Sequence, residues 1–145
     1  MDTSFDQLAH AAGTYMGEGD GIESGPFTAT IEVQSVLDGL GVQIDYEAAA
    51  PDGAVLHVER STLALDMIGG EPTLYVLCEE LRGMGRLPMI GTNRYGNGAG
   101  HEGFELEIEI DVEGDELTYV WSWGPPHEAV VERSRAVVRR TTSAG

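Results

Sequence analysis

Two arginines near the end of the chain, Arg133 and Arg135, are spaced two residues apart in a stretch with the alternation of a β-strand. At that spacing both side chains share one face of the strand, together with Val131 and Val137. An arginine inside an apolar cavity costs free energy unless it is paired, and a ligand carboxylate is a good bidentate partner. The pair therefore predicts a site for an acidic ligand group. If the same face meets solvent, it predicts surface ion pairs instead.

Aromatic side chains alternate along the preceding stretch "LTYVWSW". On a cavity wall such rings would stack on a planar ligand or cover an apolar one, whereas in a closed core they would only fill volume. His57 lies on another alternating stretch, on the same face as Glu59. Its side chain points into the barrel if that face of the strand is the inward one. The candidate ligand-binding residues are Tyr119, Trp121, Trp123, Arg133, Arg135 and His57.

Signals for catalysis or metal binding are weak. The sequence has no G-x-S-x-G nucleophile elbow and no H-E-x-x-H motif. The single cysteine, Cys78, cannot form an internal disulfide, and no Cys/His cluster has the spacing of a zinc site. We expect no catalytic residues and no metal ligands, which favours a binding protein over an enzyme without deciding between them.

The charge of the chain restricts its partners. Its 145 residues carry 25 acidic side chains against 8 basic ones, all arginines, for a net charge of −17. Such a surface repels nucleic acid and anionic membranes, so neither is an expected partner. The first residues, MDTSFDQ, lack the features of a signal peptide, and no apolar run is long enough to span a bilayer. We expect a single-domain, soluble, cytoplasmic protein, for which a homodimer remains open.

Most of the chain alternates with period two, as half-buried antiparallel strands do. In "FELEIEIDV", residues 104–112, apolar side chains face one way and acidic ones the other. About ten such stretches are separated by glycine-rich turns, with no long helix between them. This pattern predicts an all-β, antiparallel up-and-down β-barrel of about ten strands and of calycin or lipocalin type, with a sandwich as the lesser alternative. We expect an N-terminal helical turn over 1–12, the barrel over 13–141 and a tail over 142–145.

Glycines recur at alternate positions in "GTYMGEGDG", where Gly17, Gly19 and Gly21 share one strand face. Glycine repeated on one face allows another backbone to approach closely, as the closing of a barrel requires. A phosphate-binding loop is disfavoured because Glu18 and Asp20 would repel phosphate. The stretch "GAGHEG", residues 98–103, formally matches G-x-G-x-x-G but precedes a strand, so we interpret it as a loop.

The same glycine-rich strand, followed by about ten antiparallel strands, resembles the opening of the nitrobindin family of haem-binding β-barrels. These proteins belong to the calycin group, with the fatty-acid-binding proteins and lipocalins. Tyr15 occupies the position of the family's tryptophan. Two further stretches resemble family motifs: "DGAVLHVERSTL", residues 52–63, and "GDELTYVWSW", residues 114–123. The short connection at 23–26 has no room for the helical lid of fatty-acid-binding proteins.

The resemblance implies a ferric haem in the barrel mouth, held by a histidine on the last strand and acting on nitric oxide or peroxynitrite. The family's H-L-x-A-x-L-x-R pattern aligns best with residues 133–140, which places Arg133 at the position of the haem ligand. Guanidinium offers no lone pair to iron, so this mode of haem binding is in doubt. His10, His101 and His127 are expected at surface or loop positions.

The sequence therefore favours non-enzymatic binding or carriage of a small, largely apolar ligand in the barrel, with an acid group as a partner for the arginines. One alternative is a nitrobindin-type haem protein with peroxynitrite isomerase-like activity. A second alternative is a barrel filled by its own side chains that serves as an interaction module.

Overall fold

The computed structural model describes residues 3–97, 105–126 and 128–141. One short helix precedes ten strands, and a 3₁₀ turn lies at Glu79–Leu81. The elements are α1 (Thr3–Ala9), β1 (Gly13–Gly21), β2 (Gly25–Val36), β3 (Gly41–Ala49), β4 (Val55–Leu65), β5 (Pro72–Cys78), β6 (Gly83–Gly91), β7 (Arg94–Gly96), β8 (Glu105–Glu113), β9 (Glu116–Gly124) and β10 (Val131–Arg140).

The strands form a closed barrel in which each strand pairs antiparallel with its neighbours in sequence. Pairing of β1 with β10 completes the ring, with Gly17 opposite Val138. Closure leaves no unpaired sheet edge, which explains why a long series of hairpins adopts this form. The prediction of a ten-stranded up-and-down barrel is confirmed, and the sandwich alternative is wrong.

Alternation along the strands separates the interior from the surface. In β8, Leu106, Ile108 and Ile110 are buried, while the intervening acidic residues are partly exposed. The apolar side chains inside the barrel form one continuous core from α1 to β10. The period-two pattern therefore predicted the inward face of this strand correctly.

The short helix α1 packs against β2, β3 and β8 at one end of the barrel. Its Leu8 is buried, and the Tyr15 hydroxyl on β1 donates a hydrogen bond to the Ala11 carbonyl at 2.6 Å. The turns joining β1 to β2, β3 to β4 and β5 to β6 lie at the opposite end. In the part of the chain that the structure describes, no helix is long and apolar enough to cross a bilayer.

The glycine face of β1 lies against the backbone of β10. A Cβ atom added at Gly17 would collide with the Val137 carbonyl and lie 2.9 Å from the Val138 Cα. At Gly19 an added Cβ would collide with the Phe27 ring. The alternate glycines thus allow the close approach that closes the barrel. The loop at 98–103 lies outside the described residues.

Replacing Gly17 by alanine should destabilise the barrel, because the new methyl group meets backbone that cannot move aside as a side chain can. We expect Gly17→Ala to lower the free energy of unfolding by about 1 to 3 kcal/mol, the usual cost of overpacking. Urea unfolding measures the change. Gly41→Ala is the matched control, because its Cβ would lie 3.4 Å from its nearest neighbours, in ordinary contact. Equal effects of the two substitutions would contradict this account of β1.

Candidate ligand-binding site

The barrel encloses a cavity of about 610 Å³ at the end opposite α1. Side chains of β2, β3, β4, β9 and β10 line it, together with residues of three turns. Most of the lining is aromatic or aliphatic, with a few polar groups among them. The lining residues are Glu23, Ser24, Phe27, Tyr46, Ala48, Leu56, His57, Glu80, Leu81, Trp121, Trp123, Pro125, Pro126, Arg133 and Ser134.

Four of the six residues singled out from the sequence line this cavity: His57, Trp121, Trp123 and Arg133. Tyr119 is fully buried one layer further inside, next to the cavity. Trp121 and Trp123 are the only two tryptophans of the chain, so its tryptophan fluorescence comes entirely from the cavity wall. The aromatic alternation of β9 therefore places both tryptophans on the inward face, where they line the cavity.

Arg133 and Arg135 do not share a face, contrary to the sequence expectation. A bulge lies between Glu132 and Ser134, where β10 holds one more residue than β9. The extra residue shifts the alternation, so Arg133 lines the cavity while Arg135 is exposed outside. The Arg135 guanidinium forms an ion pair with Glu132 at 2.9 Å. Sequence periodicity could not reveal this shift, because a bulge leaves no signature in alternation this short.

The Arg133 side chain is held by Trp123. Its Nε donates a hydrogen bond to the Trp123 carbonyl at 3.1 Å, and its Cζ lies 4.1 Å from the centroid of the Trp123 ring. These contacts occupy one N–H and one face of the guanidinium plane, and they leave the two terminal amino groups as donors. Arg133 also borders a surface groove between β1 and β10, so it stands at the rim of the cavity.

Arg133 differs from most of the other arginines in its partners. Six of them form ion pairs with carboxylates on the outside of the barrel: Arg60, Arg86, Arg94, Arg135, Arg139 and Arg140. Among the described residues, no carboxylate forms such a pair with Arg133. In a chain with 25 acidic residues, an arginine at an apolar cavity without a carboxylate partner is a candidate anion-binding group.

A buried carboxylate lies behind the inner wall of the cavity, bonded to two of the residues that line it. Glu59 is only 1% exposed and accepts hydrogen bonds from four side chains. The Ser61 hydroxyl lies 2.7 Å from Glu59 Oε2, while Trp121 Nε1 and His57 Nε2 lie 3.0 Å and 3.1 Å from Oε1. The Tyr119 hydroxyl donates to Oε2 as well. This set of donors satisfies a group that would otherwise be very costly to bury.

Glu59 was not recognised as a site residue from the sequence, although a signal was present. Glu59 and Ser61 lie in phase with Leu63, which is fully buried on the inward face of β4. A carboxylate on the inward face of a strand predicts a buried cluster of polar side chains around it. Its partners on β9 were not detectable, because β4 and β9 are not neighbours in the barrel and their sequence separation is large.

His57 connects this buried cluster to the mouth of the cavity. Its Nε2 faces Glu59, and its Nδ1 lies 2.7 Å from Oε2 of Glu80 in the 3₁₀ turn. Burial lowers the pKa of His57, but the hydrogen bonds and charges of the two carboxylates outweigh burial and raise the pKa above its ordinary value. The two carboxylates therefore favour the imidazolium form of His57, in which both ring nitrogens donate and the side chain bridges Glu59 and Glu80.

The raised pKa of His57 predicts a pH-dependent stability. Because the folded state holds this proton more tightly, its contribution is complete below the unfolded pKa of about 6.5 and is lost as pH rises through the folded pKa. Urea unfolding of the protein should show stability falling above pH 6.5, with a smaller fall in His57→Gln. His10→Gln is the control, since its exposed ring contacts only the Asp6 carbonyl. The same pH profile in wild type and His57→Gln would contradict the bridge.

The described residues do not fit a haem iron. His57 is the only histidine among those that line the cavity, and carboxylates engage both of its ring nitrogens. Burial, followed by the charge of Glu59, raises the pKa of Tyr46, which disfavours the phenolate needed for iron ligation. Arg133, at the family's ligand position, cannot coordinate a metal. His101 and His127 lie outside the described residues.

Comparison with known proteins identifies the fold. No protein-family model matches the sequence, and no curated protein matches it either. The crystal structure of Rv2717c from M. tuberculosis is similar, with a TM-score of 0.65 and 17% sequence identity over 97% of this chain and 99% of that chain. The likeness shows a shared barrel fold, and the closed ten-stranded barrel is consistent with a calycin-like fold. Membership of the nitrobindin family stays a prediction.

Proposed function

We propose that this protein binds and carries a small, largely apolar molecule in the barrel cavity. The observation that carries the proposal is an open cavity of about 610 Å³ whose wall is mainly aromatic and aliphatic. This volume lies within the range of small-molecule sites, where apolar walls supply affinity and a few polar groups set orientation. An interaction module with a filled interior would have no need of such a space.

The ligand is an acid whose anionic group binds the terminal amino groups of Arg133. Trp123 fixes the guanidinium plane by a hydrogen bond and by ring contact, so little side-chain entropy is lost on binding. The net charge of −17 repels anions at long range, so the site depends on short-range contacts to this one arginine. We place this carrier in the cytoplasm, without nucleic acid or membrane as a partner.

Arg133→Ala should weaken the binding of decanoic acid by about tenfold to a hundredfold, because the variant removes charge-assisted hydrogen bonds to the carboxylate. Quenching of the fluorescence of Trp121 and Trp123 reports the titration directly from the cavity wall. Arg135→Ala is a matched control two residues away, since that side chain pairs with Glu132 outside the barrel. The role of Arg133 would be refuted if the two variants bound decanoic acid alike.

The haem alternative is tested separately by adding ferric haem to the purified protein. We expect no Soret band to persist through gel filtration, because the described residues of the cavity offer no free iron ligand. A persistent Soret band would show that a residue outside the described ranges coordinates the iron, and haem binding would then replace acid binding as the leading function.

A further inference from the structure

The contacts described above do not include the hydroxyl group of Tyr46, a polar group on the cavity wall. Its side chain is 3% exposed and lines the cavity. Its ring contacts the rings of His57 and Tyr119 edge-on, with centroid distances of 5.4 Å and 4.9 Å. Within the described residues, its hydroxyl has no hydrogen-bond partner. The Tyr46 hydroxyl is not among the inaccessible polar atoms that lack a partner, so it is accessible from the cavity that its side chain lines. A donor without a protein partner on an otherwise apolar cavity wall is suited to an acceptor on a ligand.

The neighbouring donors are already used. The Trp121 indole N–H and the Tyr119 hydroxyl both donate to Glu59, and His57 is engaged on both nitrogens. Burial and the nearby Glu59 charge raise the pKa of Tyr46, so its hydroxyl keeps its proton and can donate it in a hydrogen bond. Tyr46 is thus the donor that this end of the cavity presents to a ligand.

The charge at this end determines which ligand group can bind there. Two carboxylates, Glu59 and Glu80, flank the single imidazole of His57, so the cluster is net negative whether or not His57 is protonated. A ligand carboxylate is repelled from this cluster and attracted to Arg133 at the rim, on the other side of the mouth. The group that accepts from Tyr46 must therefore be neutral.

We propose that the ligand is an apolar organic acid with a second, neutral hydrogen-bond acceptor, a ketone or ether oxygen remote from the acid group, which binds the Tyr46 hydroxyl. This inference rests on the proposed function and specifies its ligand class. Binding of the acid group at the rim sets the orientation of the ligand in the cavity. The hydrogen bond to the remote oxygen then distinguishes this ligand from other acids of the same length. An acid without that oxygen leaves the Tyr46 donor buried and unsatisfied, which lowers its affinity.

The test compares decanoic acid with 5-oxo-, 7-oxo- and 9-oxodecanoic acid by tryptophan quenching. In the wild-type protein, one keto acid should bind at least as tightly as decanoic acid, although a ketone is more costly to desolvate. Tyr46→Phe should weaken the binding of that keto acid about tenfold more than it weakens the binding of decanoic acid, because only the ketone loses a hydrogen-bond partner. Tyr75→Phe, which alters a tyrosine outside the cavity lining, should change neither.

Several results would overturn the inference. One is that all three keto acids bind wild type much more weakly than decanoic acid. Another is that Tyr46→Phe weakens decanoic acid and the keto acid equally, which would assign the hydroxyl a structural role. Failure of the proposed function itself looks different, because then decanoic acid would not quench the tryptophans of the wild-type protein. The inference is supported if Tyr46→Phe still binds decanoic acid but no longer binds the keto acid as tightly as the wild-type protein does.

Discussion

The structure depends on keeping one ionisable side chain, Glu59, satisfied inside an apolar barrel. Its carboxylate receives donors from β4 itself and from β9, two strands that face each other across the interior rather than side by side. A lone buried carboxylate is strongly destabilising, so these cross-barrel bonds fix the distance between the two walls. They also divide the interior into an apolar core on the α1 side and a cavity on the other side. Glu59 and its donors thus lie at the boundary between the packed core and the cavity.

The arginines are distributed unevenly between the outer surface and the cavity. With few cations available, most are used outside the barrel, where pairs such as Arg60 with Asp45 reduce the repulsion among carboxylates. Each such exposed pair contributes little stability by itself. Arg133 instead lies at the cavity rim beside an aromatic ring that shields one face of its guanidinium. Its contacts are thus an aromatic ring and a backbone carbonyl rather than a carboxylate.

Period-two alternation was sufficient to predict the strands, the closed barrel and the inward face of β9, because each property depends on local side-chain direction. The site was predictable only in part. The bulge that separates Arg133 from Arg135 is a single-residue shift in register, and the alternation on either side of it stays regular. Glu59 and Tyr46 were missed because their roles depend on strands that meet only in three dimensions. The alternation of side chains along one strand does not predict contacts with distant strands.

The two ends of the cavity differ in a way that constrains the ligand more tightly than volume does. At the rim, Arg133 offers a positive charge held in a fixed plane by Trp123. At the inner end, the carboxylates around His57 exclude an anion, while the Tyr46 hydroxyl offers a neutral donor. An apolar wall alone would accept any molecule of suitable size. A positive rim and an anion-excluding inner end accept such a molecule in one orientation, and they favour one that has an acid at one end and a neutral acceptor further in.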